Sequence, residues 1–460
     1  MIEQFVNSLS KIKSTESNNL IERYYKGLQK AFENIDGGNK NNLFEPAFEL
    51  PQLDEQMIKF FEVAQSSYSY LGDYKDKSIY LLNLMKNPGT NTTKTLASLL
   101  MVARAVNHIK KTGERILIFT PSSGNKAIAL RDAVERAIKF GLVAKEELRI
   151  ITLTPKNSSH KLRKSDLSEN EELLKLNPMF IYNGEIPQDV KKIGSEFIKK
   201  YDRDIETKYG YRVWYSLDIR NYKVADSLRA FFDYEFFPWK ENQSKRLHAH
   251  AVSSAYGLLG YNYGRTIIKN EGMKIHEPNP GYLLVQHSET SDMVLSLLYN
   301  DFSRSNYPKY IYDETDGMFK QKQNSHFPYK TWRVIENLDG TFYTHNPPTS
   351  PEMNNLIHTN GGTGIVVSLS ECLSRIGIIK QLLKGTDVSF PEDIRDLNEW
   401  SLVMAFTGVT NAIDRNLVDA FDDIIIHGSG IYSEDDYLKV EKTQVKEIGN
   451  HKEMFHAVFE

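Results

Sequence analysis

The feature that most constrains this chain is a repeated grammar between residues 78 and 216. Short apolar runs, small polar turns and segments of helical period follow one another. Strands are expected over 79–84, 116–120, 149–154, 179–182 and 212–216, with helices over 95–111, 126–140 and 187–201. Strands separated by helices of this length call for βαβ units and a mostly parallel sheet. Two consecutive units stand at the centre, KNPGTNTTKTLASLLMVARAVNHIKK and ILIFTPSSGNKAIALRDAVERA. In the first, Lys94 opens a helix with Leu96, Leu99, Leu100, Ala103 and Val106 on one face. In the second, Ser122, Ser123, Gly124 and Asn125 fill the turn. Ligands of open α/β sheets sit at the carboxyl ends of strands. The two turns therefore offer an amine and a set of hydroxyl, amide and N–H donors to one crevice.

Around this centre the organisation is less regular. Residues 1–75 read as a helical N-terminal extension, with Phe5, Leu9 and Ile12, then Leu20, Ile21, Tyr24, Leu28 and Phe32 at helical spacing. The stretch 36–42 (DGGNKNN) has the composition of a flexible connection, and 53–66 reads as another helix. A smaller α/β domain is expected over 76–220 and a larger one over 221–460. The larger contains a helix over 224–236, then HAHAVSSAYGLLGYNYGR as a short run, a small-residue turn and a helix. Residues 266–355, rich in Tyr, Asn, Pro and His, read as an irregular insertion of strand and loop. Beyond it, GGTGIVVSLSECLSRIGIIKQLL reads as a glycine turn into an amphipathic helix, and DIIIHGS over 423–429 as a strand ending in a turn.

A chain of 460 residues is long enough for more than one core. A formal charge of −3 gives no electrostatic case for nucleic acid or an anionic membrane. The lone Cys372 excludes an internal disulfide framework and a Cys-rich metal site. The first residues lack a signal-peptide pattern, and no run reaches the ~18 apolar residues of a membrane span. A cytoplasmic protein is expected.

Lys94 carries the sharpest chemistry. An amine at a helix start sits where the macrodipole disfavours positive charge, so it gives up its proton more readily. Such an amine can form a Schiff base with a carbonyl. The preceding NPGTNTT is a tight loop of small residues that lets backbone approach a ligand closely. The same residues admit a second reading, since Gly89 and Lys94-Thr95 approach the phosphate-binding G-x-x-x-x-G-K-[ST] pattern, with Thr93 where the second glycine belongs. The turn Ser122 to Asn125 forms an anion cradle or, more plainly, a helix cap. His248 and His250, two apart, share a strand face without further ligands at metal spacing, so no metal is expected.

Taken together, N-P…T-T-Lys94 and S-S-G-N-Lys126 resemble the paired motifs of the fold-type II pyridoxal-phosphate enzymes, the superfamily of the tryptophan synthase β-subunit, threonine synthase and cysteine synthase. The pattern there is N-P-T-G-S-F-K, then S-G-N after the next strand. The loop in this chain has one extra residue, and Thr93 stands in place of an aromatic. The resemblance implies a two-domain α/β fold with pyridoxal 5′-phosphate on Lys94, and Asn125 hydrogen-bonded to the cofactor's 3′-oxygen. It places the substrate carboxylate on Thr93, Ser122, Ser123 and Gly124. By chain order, the cofactor phosphate falls to Ser253, Ser254, Ala255, Tyr256 and Gly257. Gly361, Gly362, Thr363 and Gly364 form a more glycine-rich alternative. His427 or Ser429 would face the pyridine nitrogen.

The activity so implied is β-elimination or β-replacement on an activated Ser, Cys or Thr derivative through an aminoacrylate, in specialised metabolite biosynthesis, by a homodimer with a small amino-acid substrate. Threonine synthase-like γ-chemistry is the nearest variant. A P-loop nucleotide-binding protein and a catalytically inactive binding module of the same fold are the other readings.

Overall fold

A computed structural model describes residues 14–35, 43–237, 240–241 and 244–460. The expected helix turns at Phe5, Leu9 and Ile12 and the connection over 36–42 lie outside the described residues.

Two sheets organise the chain. The smaller runs in the order Val445–Ile448, Met179–Tyr182, Leu148–Pro155, Arg115–Pro121, Tyr211–Tyr215, and every pair in it is parallel. The larger runs Ser14–Ser17, Ser66–Tyr74, Lys77–Asn83, Asp423–Gly428, Arg246–Ala251, Gly281–His287, Gly362–Val367. Its first three strands pair antiparallel, and from Lys77–Asn83 onward every pair is parallel. Parallel sheets are covered on both faces and read as near-continuous apolar runs. Leu148–Pro155 and Gly281–His287 are accordingly buried at every position.

The helix Lys94–Thr112 carries the chain from the larger sheet to the smaller one. It is buried along most of its length, from Thr95 to Val106, and ends at Gly113 in the left-handed region, φ 73°. It packs against Asn125–Lys139, the helix that follows the second turn. Ser401–Asp414, buried from Ser401 to Ile413, packs on the larger sheet. Among the described residues no helix is long and apolar enough to cross a membrane.

Sheet membership departs from the expected boundaries. The strand Lys77–Asn83, placed with the smaller domain, belongs to the larger sheet, while Val445–Ile448 crosses back to complete the smaller one. The N-terminal extension is not wholly helical. Asp54 accepts from the Met57 N–H and caps a helix that stops at Phe61, and Ser66–Tyr74 forms a hairpin with Lys77–Asn83 around Lys75 at φ 54°. The helix expected over 224–236 is two, Ile219–Ala225 and Leu228–Phe236. The glycine run from 361 starts a strand and not a helix: Gly362–Val367 pairs with Gly281–His287, and only then does Leu369–Leu382 begin. Within 266–355 regular elements occur, among them the core strand Gly281–His287 and a small sheet of Ile311–Asp313, Met318–Lys320 and Lys330–Thr331.

Candidate functional site

The loop before Lys94 is shaped by its own side chains. Asn87 Nδ2 donates to the Leu84 and Thr92 carbonyls at 2.9 and 3.0 Å, and the Thr90 and Thr95 hydroxyls meet at 2.6 Å. Gly89 and Asn91 take positive φ, 80° and 52°. The loop is then tied to the stretch that follows the neighbouring strand Asp423–Gly428, where the Thr93 N–H donates to the Ser429 carbonyl at 3.0 Å and Thr92 bridges Gly430. Lys94 is thereby held at a helix start, facing a cavity of about 340 Å³. Burial lowers its pKa, and the Arg229 guanidinium adds to that effect against the carboxylates of Asp226 and Glu399.

Segments far apart in sequence line the same cavity. Thr93 and Lys94 come from the first turn, Ser122, Ser123 and Asn125 from the second, and Ser429 from the end of Asp423–Gly428. Ser253, Ser254, Ala255, Tyr256 and Gly257 contribute the opening of the helix Tyr256–Asn270. Gly124 lies behind the cavity, against Lys161. The Ser122 hydroxyl accepts from the Gly124 and Ala127 N–H groups at 3.2 and 3.0 Å, a capping role.

The turn from Ser253 to Gly257 has the character of an anion cradle. Val252 N–H bonds the Val285 carbonyl, and Leu258 N–H bonds the Ala255 carbonyl. Among the described residues the intervening N–H groups have no hydrogen-bond acceptor, and Ala255 at φ 50° folds them together. Arg229 lies directly behind: a Cβ on Gly257 would come within 2.6 Å of its guanidinium, so only glycine admits this approach. The alternative turn has spent its donors. Gly361 N–H bonds the Ile357 carbonyl, Gly362 enters the strand ladder, and neither lines the cavity.

His427 is fully buried and does not line the cavity. Arg229 Nη1 donates to its Nδ1 at 3.0 Å, which leaves the proton on Nε2, directed to His248 Nδ1 at 2.8 Å. Burial, with Arg229 and the neighbouring histidines, pushes its pKa well down, so the ring is neutral. Of the two residues expected to face a cofactor ring nitrogen, only Ser429 reaches the cavity. His250, on the strand Arg246–Ala251, does line it, and neither of its ring nitrogens has a partner. Among the described residues no cluster of His, Cys, Asp or Glu could hold a metal.

Other wall residues carry no motif in the sequence. Asn125 Nδ2 donates to Glu399 Oε2 at 2.7 Å, and its carbonyl accepts from Tyr432 at 2.6 Å. Glu399 shares the buried Lys161 amine with Asp339, at 2.7 and 2.8 Å. Asp339 in turn anchors Thr341 through its N–H and hydroxyl, at the start of a loop that lines the cavity as far as Thr344. Lys126 stood in the motif beside Asn125, but nothing in its spacing marked it as a wall residue.

Comparison with solved structures places this architecture. Threonine synthase from yeast superposes with a TM-score of 0.54 at 12% identity, covering 88% of this chain and 83% of that one. Pyridoxal phosphate-bound threonine synthase from Brucella melitensis gives 0.49 at 10% identity, covering 88% and 78%. Serine racemase from Dictyostelium discoideum gives 0.45 at 10%, covering 88% and 97%. The fold is the one that yeast threonine synthase has. The chain itself belongs to the family described as a family of unknown function, DUF6002, which matches residues 16–460. No curated protein matches it in sequence.

Proposed function

We propose that this protein is a pyridoxal phosphate-dependent enzyme that carries out elimination or replacement on an amino acid activated at its side chain. One observation carries the proposal. Lys94, Asn125 and the unpaired N–H groups from Ser253 to Gly257, from three distant segments, converge on one cavity. The donor set suits the cofactor: an amine of lowered pKa for its aldehyde, an amide for its ring oxygen, and a cradle backed by Arg229 for its phosphate. When bound, pyridoxal phosphate supplies an electron sink for negative charge developing at the amino acid's α-carbon.

The chain's own residues supply the rest. Thr93, Ser122 and Ser123, which line the cavity, orient the substrate carboxylate. Lys94, placed to hold the cofactor's aldehyde, would also serve as the base that takes the α-proton and keeps it close to the leaving group. Ser429, which lines the cavity, would be the neutral partner of the ring nitrogen, and a neutral partner there would favour elimination. Thr341, Phe342 and Tyr343 contribute a wall of the cavity.

The test is the absorption spectrum of the purified protein beside that of Lys94→Ala, each after addition of pyridoxal phosphate. A visible band in the wild type that is lost or converted to that of free cofactor in the variant is expected. Ser, Cys and Thr derivatives can then be screened for keto-acid release. A wild-type protein that takes up no cofactor would overturn the proposal.

A further inference from the structure

Two more amines share the cavity wall with Lys94. Lys126 stands at the second position of the helix Asn125–Lys139, and Lys191 at the third of Asp189–Asp204. Both are first-turn positions, where the helix dipole disfavours a cation. Lys126 Nζ lies 5.4 Å from the centre of the Tyr222 ring, against which Lys94 Nζ also lies, at 5.8 Å. Lys191 Nζ sits 4.9 Å from the centre of the Tyr343 ring.

Among the described residues neither amine has a carboxylate partner, and the acceptor on Lys126 is the uncharged Ser216 carbonyl. The one carboxylate on the wall, Glu399, is already bound by Lys161. Burial lowers the pKa of both amines, and for Lys126 repulsion from Lys94 and Lys191 adds to burial. Like charges gathered around one desolvated cavity are unfavourable by themselves and become favourable around an anion.

The proposed function leaves these amines without a role. The cofactor phosphate has the cradle at Ser253 to Gly257, the substrate carboxylate has the turn at Ser122, and the cofactor aldehyde has Lys94. We propose that Lys126 and Lys191 form an oxyanion subsite for a second anionic group, carried on the side chain of the amino-acid substrate. The substrate class is then amino acids with a phosphorylated or acidic side chain. The assignment of that anion to an amino acid rests on the proposed function; the subsite itself rests on the two amines.

The experiment is calorimetric titration of the full-length protein, saturated with pyridoxal phosphate so that the cofactor cradle is filled, with inorganic phosphate and with succinate. Wild type, Lys126→Gln, Lys191→Gln, the double variant and Lys191→Arg are compared, each checked for its thermal transition. Each glutamine variant is expected to weaken binding about tenfold, the double variant to abolish it, and the charge-retaining arginine to preserve it. The tighter of the two probes separates a phosphorylated from an acidic side chain. Binding to wild type of neither anion, or equal binding to the glutamine variants, overturns the subsite. A protein that takes up no pyridoxal phosphate fails the proposed function instead. The same lysine dependence, measured on the unloaded protein, still decides the subsite.

Discussion

Asn125 donates its side-chain amide to Glu399 Oε2 at 2.7 Å across a sequence separation of 274 residues. The same amide's carbonyl accepts from Tyr432 at 2.6 Å, so both ends of the group are fixed. One residue of the cavity wall thus joins the helix after the second turn to two C-terminal segments. An amide held this way keeps one N–H for a ligand and cannot flip to present its oxygen.

This arrangement predicts coupling. Tyr432→Phe removes one buried hydrogen bond and should cost ~1 kcal/mol, while Asn125→Ala also strips a donor from Glu399 and should cost ~1–3 kcal/mol. Denaturant unfolding of both single variants and the double should give an interaction energy of roughly 0.5–3 kcal/mol. Strict additivity would mean that the amide is not held as described.

Lys161 is 1% exposed and lies between Asp339 and Glu399, each buried. Lys161→Met would leave two carboxylates in the interior without their cation, at a cost of ~3–5 kcal/mol. Because Asp339 anchors Thr341, hydrogen exchange should also quicken in the loop that follows. A loss of stability with unchanged exchange there would separate the ion pairs from the loop.

Asp132 predicts a pH dependence. Burial, opposed by Arg136 and Arg163, raises its pKa to about 7, and its Oδ2 has no partner. The native state therefore binds the proton more tightly than the unfolded chain. Its contribution is fully present below the ordinary aspartate value and is lost as pH rises toward 7. Asp132→Asn should be more stable than wild type at pH 8, by on the order of 4 kcal/mol at most, with the gap closing toward pH 4. Thermal melts at the two values check it; a gap that does not change with pH would assign the effect to packing.

Much of the site was legible because its parts are local. Lys94 and Asn125 each sit in a turn between a strand and a helix, and the residues that shape those turns are neighbours in sequence. The central strands were legible for a similar reason, since Leu148–Pro155 and Arg115–Pro121 are buried on both faces and read as unbroken apolar runs. Ser66–Tyr74 was not, because SSYSYLGDY draws its strand character from pairing with Lys77–Asn83 and carries little of its own. The run from Gly361 misled because glycine signals a turn locally. In the fold, Gly362 is needed where the backbone passes so close to Tyr282 that a Cβ would lie 2.0 Å from its carbonyl oxygen. Glu399, Lys161 and Arg229 act through partners hundreds of residues away or on other elements, and no spacing records such partners. His427 was misplaced for a related reason: its position at a strand end was readable, but not the Arg229 and His248 side chains that turn it away from the cavity.

The smaller sheet takes its edge strand, Val445–Ile448, from the far end of the described chain. Translation therefore sets a timetable for this half of the molecule. At ~5–20 residues per second, Met179–Tyr182 leaves the ribosome on the order of tens of seconds before its partner exists. Over that interval the nascent protein carries an open row of main-chain donors and acceptors, the kind of edge that templates association between chains.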